Sequence, residues 1–205
     1  MFRPLHWVKG RGSHRADGSI ERYKAHLVAR GFTQEYGIDY EETFAPIAHF
    51  TSVRSLLVVS AVCHWPLFQM DVKNAFINGD LLEEVYMQPP PSYLDSQNQV
   101  CHLRRALYGL KQAPRAWFAK FSSVVAQQGF TLSPYDSALF ICHTSTDITL
   151  ILLYMDDIII TGDDTASIHD LQKFLSQYFE MKDLGTLSYF LSLEFTSSSD
   201  SYYLS

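Results

Sequence analysis

Leu150–Gly162, reading LILLYMDDIIITG, restricts the possible folds more than any other stretch of the chain. Adjacent aspartates, Asp156 and Asp157, lie between two apolar runs, Leu150–Leu153 and Ile158–Ile160. Each run has the length and composition of a buried strand. Two charged carboxylates between two buried strands fit the tight turn of a β-hairpin. Like charges side by side repel, and desolvating them costs several kcal/mol unless something compensates. A divalent cation would do so. The plainer reading is a polar turn pair, which is what most Asp-Asp pairs are.

A third carboxylate comes from a distant stretch. Thr51–Cys63 has helical spacing in Val53, Leu56, Leu57, Ser60 and Ala61, with Thr51 or Ser52 placed to cap it. Pro66 ends that element, and Leu67–Val72 reads as a strand carrying Asp71. Glu83–Met87 is a short strand stopped by Pro89, Pro90 and Pro91. Val100–Leu107 is another short strand. Pro114 opens a long helix with Trp117, Phe121, Val124 and Val125 on one face, and Gly129 closes it. Ala138–His143 and Ile148–Tyr154 pair across a turn at Thr144–Asp147. Ala166–Phe179 forms a helix buried through Ile168, Leu171, Leu175 and Phe179, and Leu187–Phe195 is a last strand.

From residue 67 onward this order predicts an α+β fold, a ferredoxin-like split βαβ sheet with helices on one face. In such a sheet the first strand neighbours the central hairpin. Asp71 is then expected beside Asp156 and Asp157. Three carboxylates at a sheet edge make an oxygen-rich site suited to a hard cation such as Mg²⁺. Two such ions about 3.5–4 Å apart serve phosphoryl transfer. Gly162-Asp163-Asp164 offers a second acidic motif, but only one of its flanks is apolar, so it reads as a turn and helix cap.

Composition bounds the rest. In 205 residues, 47% are apolar and 14% aromatic, enough for a sizeable core. No run reaches the roughly 18 apolar residues of a membrane span. The opening MFRPLHWVKGRGSHR has no apolar h-region, which argues against a secretory signal. Cys63, Cys101 and Cys142 are far apart, as in a reducing, intracellular setting. The net charge is −6, but the basic residues are concentrated. Arg3, Lys9, Arg11, Arg15, Arg22, Lys24 and Arg30 face only Asp17 and Glu21 within the first 30 residues, and 102–120 holds five basic residues and no acid. Two such patches suit a phosphate-binding surface, or are simply solvated faces.

QMDVKNAF (69–76), LYGLKQAPRAW (107–117) and LLYMDDIIITG (152–162) resemble the reverse transcriptases of copia-type long-terminal-repeat retrotransposons. So do IERYKAHLVARGFTQ, YEETFAPIAHFTSVRSLL, EEVYMQPPP and MKDLGTLSYFLSLEF. The resemblance covers about residues 16–196. It implies fingers and palm, with 1–66 as lead-in and fingers-like region, 67–196 as palm (78–112 contributing to fingers) and 197–205 as tail. It implies RNA-directed DNA synthesis with two Mg²⁺ ions, or Mn²⁺, from an RNA template, a DNA primer and deoxynucleoside triphosphates. No membrane is involved. The expected setting is a dimer or a larger Pol polyprotein, in cytoplasmic virus-like particles.

By match to the family, Asp71, Asp156 and Asp157 are the catalytic metal ligands, with help from the Val72 carbonyl. Phe76 matches the aromatic that excludes a ribose 2′-hydroxyl, against its plain reading as core. Tyr154 supports the primer end, and Gln112 steadies nucleotide and template. Lys24 and Arg30 grip the triphosphate, and Lys111 and Arg115 touch backbone phosphate or simply begin a solvated helix. Lys182 is a candidate proton donor to pyrophosphate or a surface lysine, and Trp117 is core. Two positions depart from the family pattern: His26 replaces an expected Arg, and Ser192 an expected Gly. These departures, and an end just past the last palm strand, give the competing expectation of a catalytically silent element remnant. A metal-dependent nuclease would share the carboxylates but leaves Phe76 unexplained.

Overall fold

The computed structural model describes residues 3–8, 13–14, 20–22, 26–89, 99–190, 193–198 and 201–204, with side chains over 28–89 and 99–190. In chain order the strands begin with β1 (Arg3–Val8), β2 (Ser13–His14), β3 (Ile20–Arg22) and β4 (His26–Ala29). Helix α1 (Phe50–Val62) leads to β5 (Leu67–Val72), a 3₁₀ turn at Ala75–Asn78, β6 (Asp80–Gln88) and β7 (Cys101–Arg105). Helix α2 (Ala113–Ala126) precedes β8 (Thr131–Leu132), β9 (Leu139–His143), β10 (Ile148–Tyr154) and β11 (Asp157–Gly162). Helix α3 (Thr165–Tyr178) is followed by β12 (Met181–Thr186), β13 (Tyr189–Phe190), β14 (Leu193–Ser198) and β15 (Ser201–Leu204).

The chain forms two compact units, residues 1–45 with 76–120 and residues 46–75 with 121–205. The first holds the sheet β4-β1-β6-β7. Its core gathers Ala29, Val85, Met87, Ala106, Leu110 and Ala113, with Phe76 and Leu103 packed against them. The second holds the six-stranded sheet β12-β5-β11-β10-β9-β8. All of its pairings are antiparallel.

The second unit differs from expectation in three respects. First, α1 belongs to it rather than to a region ending at residue 66. Val53, Leu56 and Leu57 pack with Leu67, Leu150, Leu152 and Ile159. The Ser60 and Thr161 hydroxyls share a buried hydrogen bond of 3.1 Å. Second, helices cover both sheet faces. On the face opposite α1, Phe68 of β5 meets His169 of α3, with ring centroids 5.4 Å apart. The reason lies in β10 and β11, which are buried at almost every position. Strands buried on both faces lose the polar alternation of a one-sided sheet. Third, the strand that closes the sheet beside β5 is Met181–Thr186, not Leu187–Phe195. The stretch is largely exposed and carries a register shift between Asp183 and Gly185, so it shows no apolar alternation. Edge strands need none.

The helix predictions hold with small shifts. Helix α2 is followed by Gly129 in the left-handed region, at φ +83°. Helix α3 is N-capped by Asp164, whose carboxylate accepts from the Ala166 and Ser167 amides at 3.0 Å each. The Asp163–Asp164 pair is thus turn and cap, since Asp163 accepts the Ile148 amide at 2.8 Å. Helix α1 has no side-chain cap of its own. The Asp136 carboxylate instead accepts the His49 amide at 2.9 Å. Ser52, expected as a cap, bonds that same carboxylate.

Candidate active site

The hairpin β10–β11 turns through two residues, Met155 and Asp156, with Tyr154 paired to Asp157. Met155 has φ +56°. A two-residue hairpin loop needs positive φ in at least one central residue, a place glycine usually takes. A methionine there stores backbone strain, of a kind that recurs at functional sites. The apolar strands on either side, zipped in register from Thr149–Gly162 to Tyr154–Asp157, hold the turn in that state.

Across the sheet the register aligns one row of four residues. Tyr154 pairs with Asp157, Asp157 with Asp71, and Asp71 with Lys182. Directly paired residues project from the same sheet face, so two carboxylates, a phenol and an ammonium share one ledge. Asp156 sits beside this row in the turn. Its carbonyl accepts the Val72 amide at 2.9 Å, which ties the hairpin tip to the end of β5. Asp71 and Asp157, 86 positions apart in sequence, therefore face each other through backbone pairing, with Asp156 the next residue along the turn. Tyr154 leans its ring edge-on to Phe190 at 5.9 Å.

Electrostatics mark Asp157. Burial pushes its carboxyl above the usual carboxylate range, and the charges of Asp156 and Asp71 push it further. A bond from Gln69 Nε2 at 3.4 Å opposes the rise without cancelling it. A cluster of half-buried acids with too few donors has the chemistry that a hard cation relieves. Among the described residues, no three of His, Cys, Asp and Glu converge closely enough to hold a metal ion on their own. The three carboxylates thus form a ledge rather than a closed cage. A hard divalent cation held by one or two protein carboxylates completes its coordination with water and other oxygen ligands.

The other candidates lie in the first unit. Phe76 is half-buried, its ring 4.8 Å from that of Tyr108. Gln112 is buried and internally bonded, accepting from Gln34 Nε2 at 2.9 Å and donating to the Asp39 carbonyl at 3.1 Å. Lys111 Nζ donates to the Gln34 carbonyl and to the Tyr40 hydroxyl. Arg115 pairs with Glu42 at 3.2 Å and with Glu83 at 3.7 Å. Both cations, expected against phosphate, are therefore engaged within the unit. The Arg30 carbonyl accepts the Thr33 hydroxyl at 2.8 Å. Trp117 is core, as expected. Lys24 and Ser192 lie outside the described residues, and His26 is described by its backbone alone, in β4.

Sequence reasoning missed Gln34 as the partner of Gln112 and left Lys182 outside a strand. No local pattern flags either one, because both depend on pairings across 78 and more than 100 positions.

A paired-aspartate hairpin beside a third carboxylate, on an antiparallel sheet flanked by helices, gathers the oxygen groups that hard divalent cations prefer. The family model described as reverse transcriptase (RNA-dependent DNA polymerase) matches residues 3–205, and the chain belongs to that family. It is 46% identical over 183 residues to the Retrovirus-related Pol polyprotein from transposon RE1 of Arabidopsis thaliana, covering 88% of this chain and 12% of that protein. It is likewise 46% identical over 181 residues to the polyprotein from transposon RE2 of the same plant, covering 87% of this chain and 12% of the relative. The polyprotein from transposon TNT 1-94 of Nicotiana tabacum is 40% identical over 181 residues, or 87% of this chain and 14% of the relative. The chain thus corresponds to about an eighth of the length of these relatives. Among the described residues, no helix is long and apolar enough to cross a membrane.

Proposed function

We propose that the chain is the catalytic core of an RNA-directed DNA polymerase, transferring deoxynucleotides from their triphosphates to a primer 3′ end on an RNA template. The observation that carries this reading is the cross-strand row Tyr154–Asp157–Asp71–Lys182 with Asp156 at its tip. The unit bearing the row is read as the palm, because β12-β5-β11-β10 has the order of a split βαβ sheet. The unit with Phe76 and Gln112 is read as fingers.

Asp71 and Asp156 would hold two Mg²⁺ ions, with Asp157 and the Val72 carbonyl in support. Held there, the ions would lower the pKa of the attacking hydroxyl and offset charge on the leaving oxygen. The chain's own residues position the reactants. Tyr154 abuts the primer end, and Phe76 closes the space a ribose 2′-hydroxyl would need. Lys182, paired with Asp71, is read as the proton donor to the leaving pyrophosphate. Gln112, Lys111, Arg115, Lys24 and Arg30 shape the nucleotide and template side. An intracellular particle and a dimer or larger Pol assembly belong to the same reading.

The test is primer extension on an RNA template with Mg²⁺ or Mn²⁺, run beside Asp156→Asn. Extension that vanishes in the variant supports the reading. Cleavage of labelled template without extension identifies a nuclease. Silence in both proteins, persisting in a His26→Arg variant, identifies a remnant.

A further inference from the structure

ARGFTQ (29–34) and LYGLKQ (107–112), more than 70 positions apart, form one structural node within the first unit. The Ala29 amide donates to the Tyr108 carbonyl at 2.7 Å. A Cβ on Gly31 would collide with the Gly109 carbonyl oxygen, and one on Gly109 with the Ala29 carbonyl oxygen. Gly109 also has φ +90°, so its backbone both turns and approaches as only glycine allows. Two buried glutamines lock this contact. Gln34 Nε2 donates to Gln112 Oε1 at 2.9 Å, and Gln34 Oε1 accepts the Lys111 amide at 2.8 Å. Gln112 Nε2 then reaches the Asp39 carbonyl at 3.1 Å.

A buried, satisfied polar network fixes one arrangement where apolar packing would tolerate several. What it fixes here is the turn Leu107–Leu110, and with it Tyr108, on which the Phe76 ring rests at 4.8 Å. We infer that Gln34 is a positioning residue for sugar discrimination: through Gln112 and the Tyr108 turn it holds Phe76 where a ribose 2′-hydroxyl would have to fit. This rests on the reading of Phe76 given above. It also gives Gln112 a role in holding the lip of the nucleotide site, its amide being committed to Gln34 and Asp39.

The experiment uses the 205-residue chain with Gln34→Leu and Gln34→Glu. One readout is NMR of the Gln112 side-chain amide and the Phe76–Tyr108 ring contact. The other is the ratio of deoxynucleotide to ribonucleotide incorporation in primer extension. Gln34→Leu is expected to shift the Gln112 amide, weaken the ring contact and lower the ratio about tenfold, as a small misplacement of a positioning group does. The change should combine a raised deoxynucleotide KM with gained ribonucleotide incorporation. Gln34→Glu keeps the acceptor for the Lys111 amide and should fall between. It also carries the comparison if Gln34→Leu does not fold. Equal losses for both sugars, leaving the ratio unchanged, would overturn the inference. If the unsubstituted chain incorporates neither sugar, the polymerase reading fails by itself and the NMR decides: an unmoved Gln112 amide and ring contact overturn the coupling, and displaced ones uphold it.

Discussion

Asp136 and Asp157 lie in the same sheet unit, and burial pushes both carboxyls toward protonation, yet they end on opposite sides of the ordinary value. For Asp136 burial is outweighed by the Ser52 hydroxyl, the Ala138 and His49 amides and the His49 charge, and its carboxyl is held low. For Asp157 one long bond from Gln69 is outweighed by burial and by the charges of Asp156 and Asp71, and its carboxyl is held high. The first region is finished by the protein itself: its acid caps α1 and anchors the loop before β9. Among the described residues, the second gives Asp157 only the long bond from Gln69, at a turn with a strained Met155. A carboxylate saturated with protein donors serves the fold. One left facing its own kind is available to a ligand.

The largest expected effect lies at the unfinished region. Asp71→Asn should lower nucleotide incorporation by about a thousandfold or more in single-turnover extension, since it removes a preorganised charge from the reacting centre. Its unfolding midpoint should hardly change. Asp136→Ala should do the converse. It leaves the His49 and Ala138 amides and the Ser52 hydroxyl without their acceptor, and should cost about 3 kcal/mol in urea unfolding. A small loss there would break the contrast.

Third, millimolar Mg²⁺ should stabilise the unsubstituted chain, by about 1.4 kcal/mol at ten times its dissociation constant. Asp71→Asn should lose most of that gain, while a milder Asp136→Asn should keep it. The smallest effect concerns pH in the metal-free chain. Asp157, raised on folding, favours the folded state below the ordinary carboxylate range and loses that contribution as pH rises through its raised value. Asp157→Asn should therefore be slightly more stable than the unsubstituted chain at neutral pH, with the gap closing on acidification. Asp136, lowered on folding, contributes above the ordinary range and loses that contribution as pH falls through its lowered value, so the deficit of Asp136→Asn should shrink in acid.

The same contrast explains what could be read in the sequence. Leu67–Val72, Ile148–Tyr154 and the hairpin tip were legible because a continuous apolar run around two acids has few other solutions. Asp164 was legible as a cap because the bonds it makes are local. Asp136 was not, because the His49 amide and Ser52 hydroxyl it accepts from lie more than 80 positions earlier, at the start of a helix whose own Thr51 and Ser52 read as caps. Strand β12 hid behind its exposure: MKDLGT has the composition of a loop, and only pairing with β5 makes it a strand and places Lys182 opposite Asp71. The Gln34–Gln112 bond joins two motifs recognisable singly, and nothing in either one announces the other.

The most direct test of the ledge as a cation site is a Mn²⁺ titration followed by paramagnetic broadening of backbone amide signals. The account predicts that Val72, Asp156, Asp157 and Lys182 broaden first, that the Ala138 amide beside Asp136 stays sharp, and that Asp71→Asn abolishes the early broadening. Early broadening at the exposed acids Asp163 and Asp170 instead, with the Asp156–Asp157 turn untouched, would contradict it.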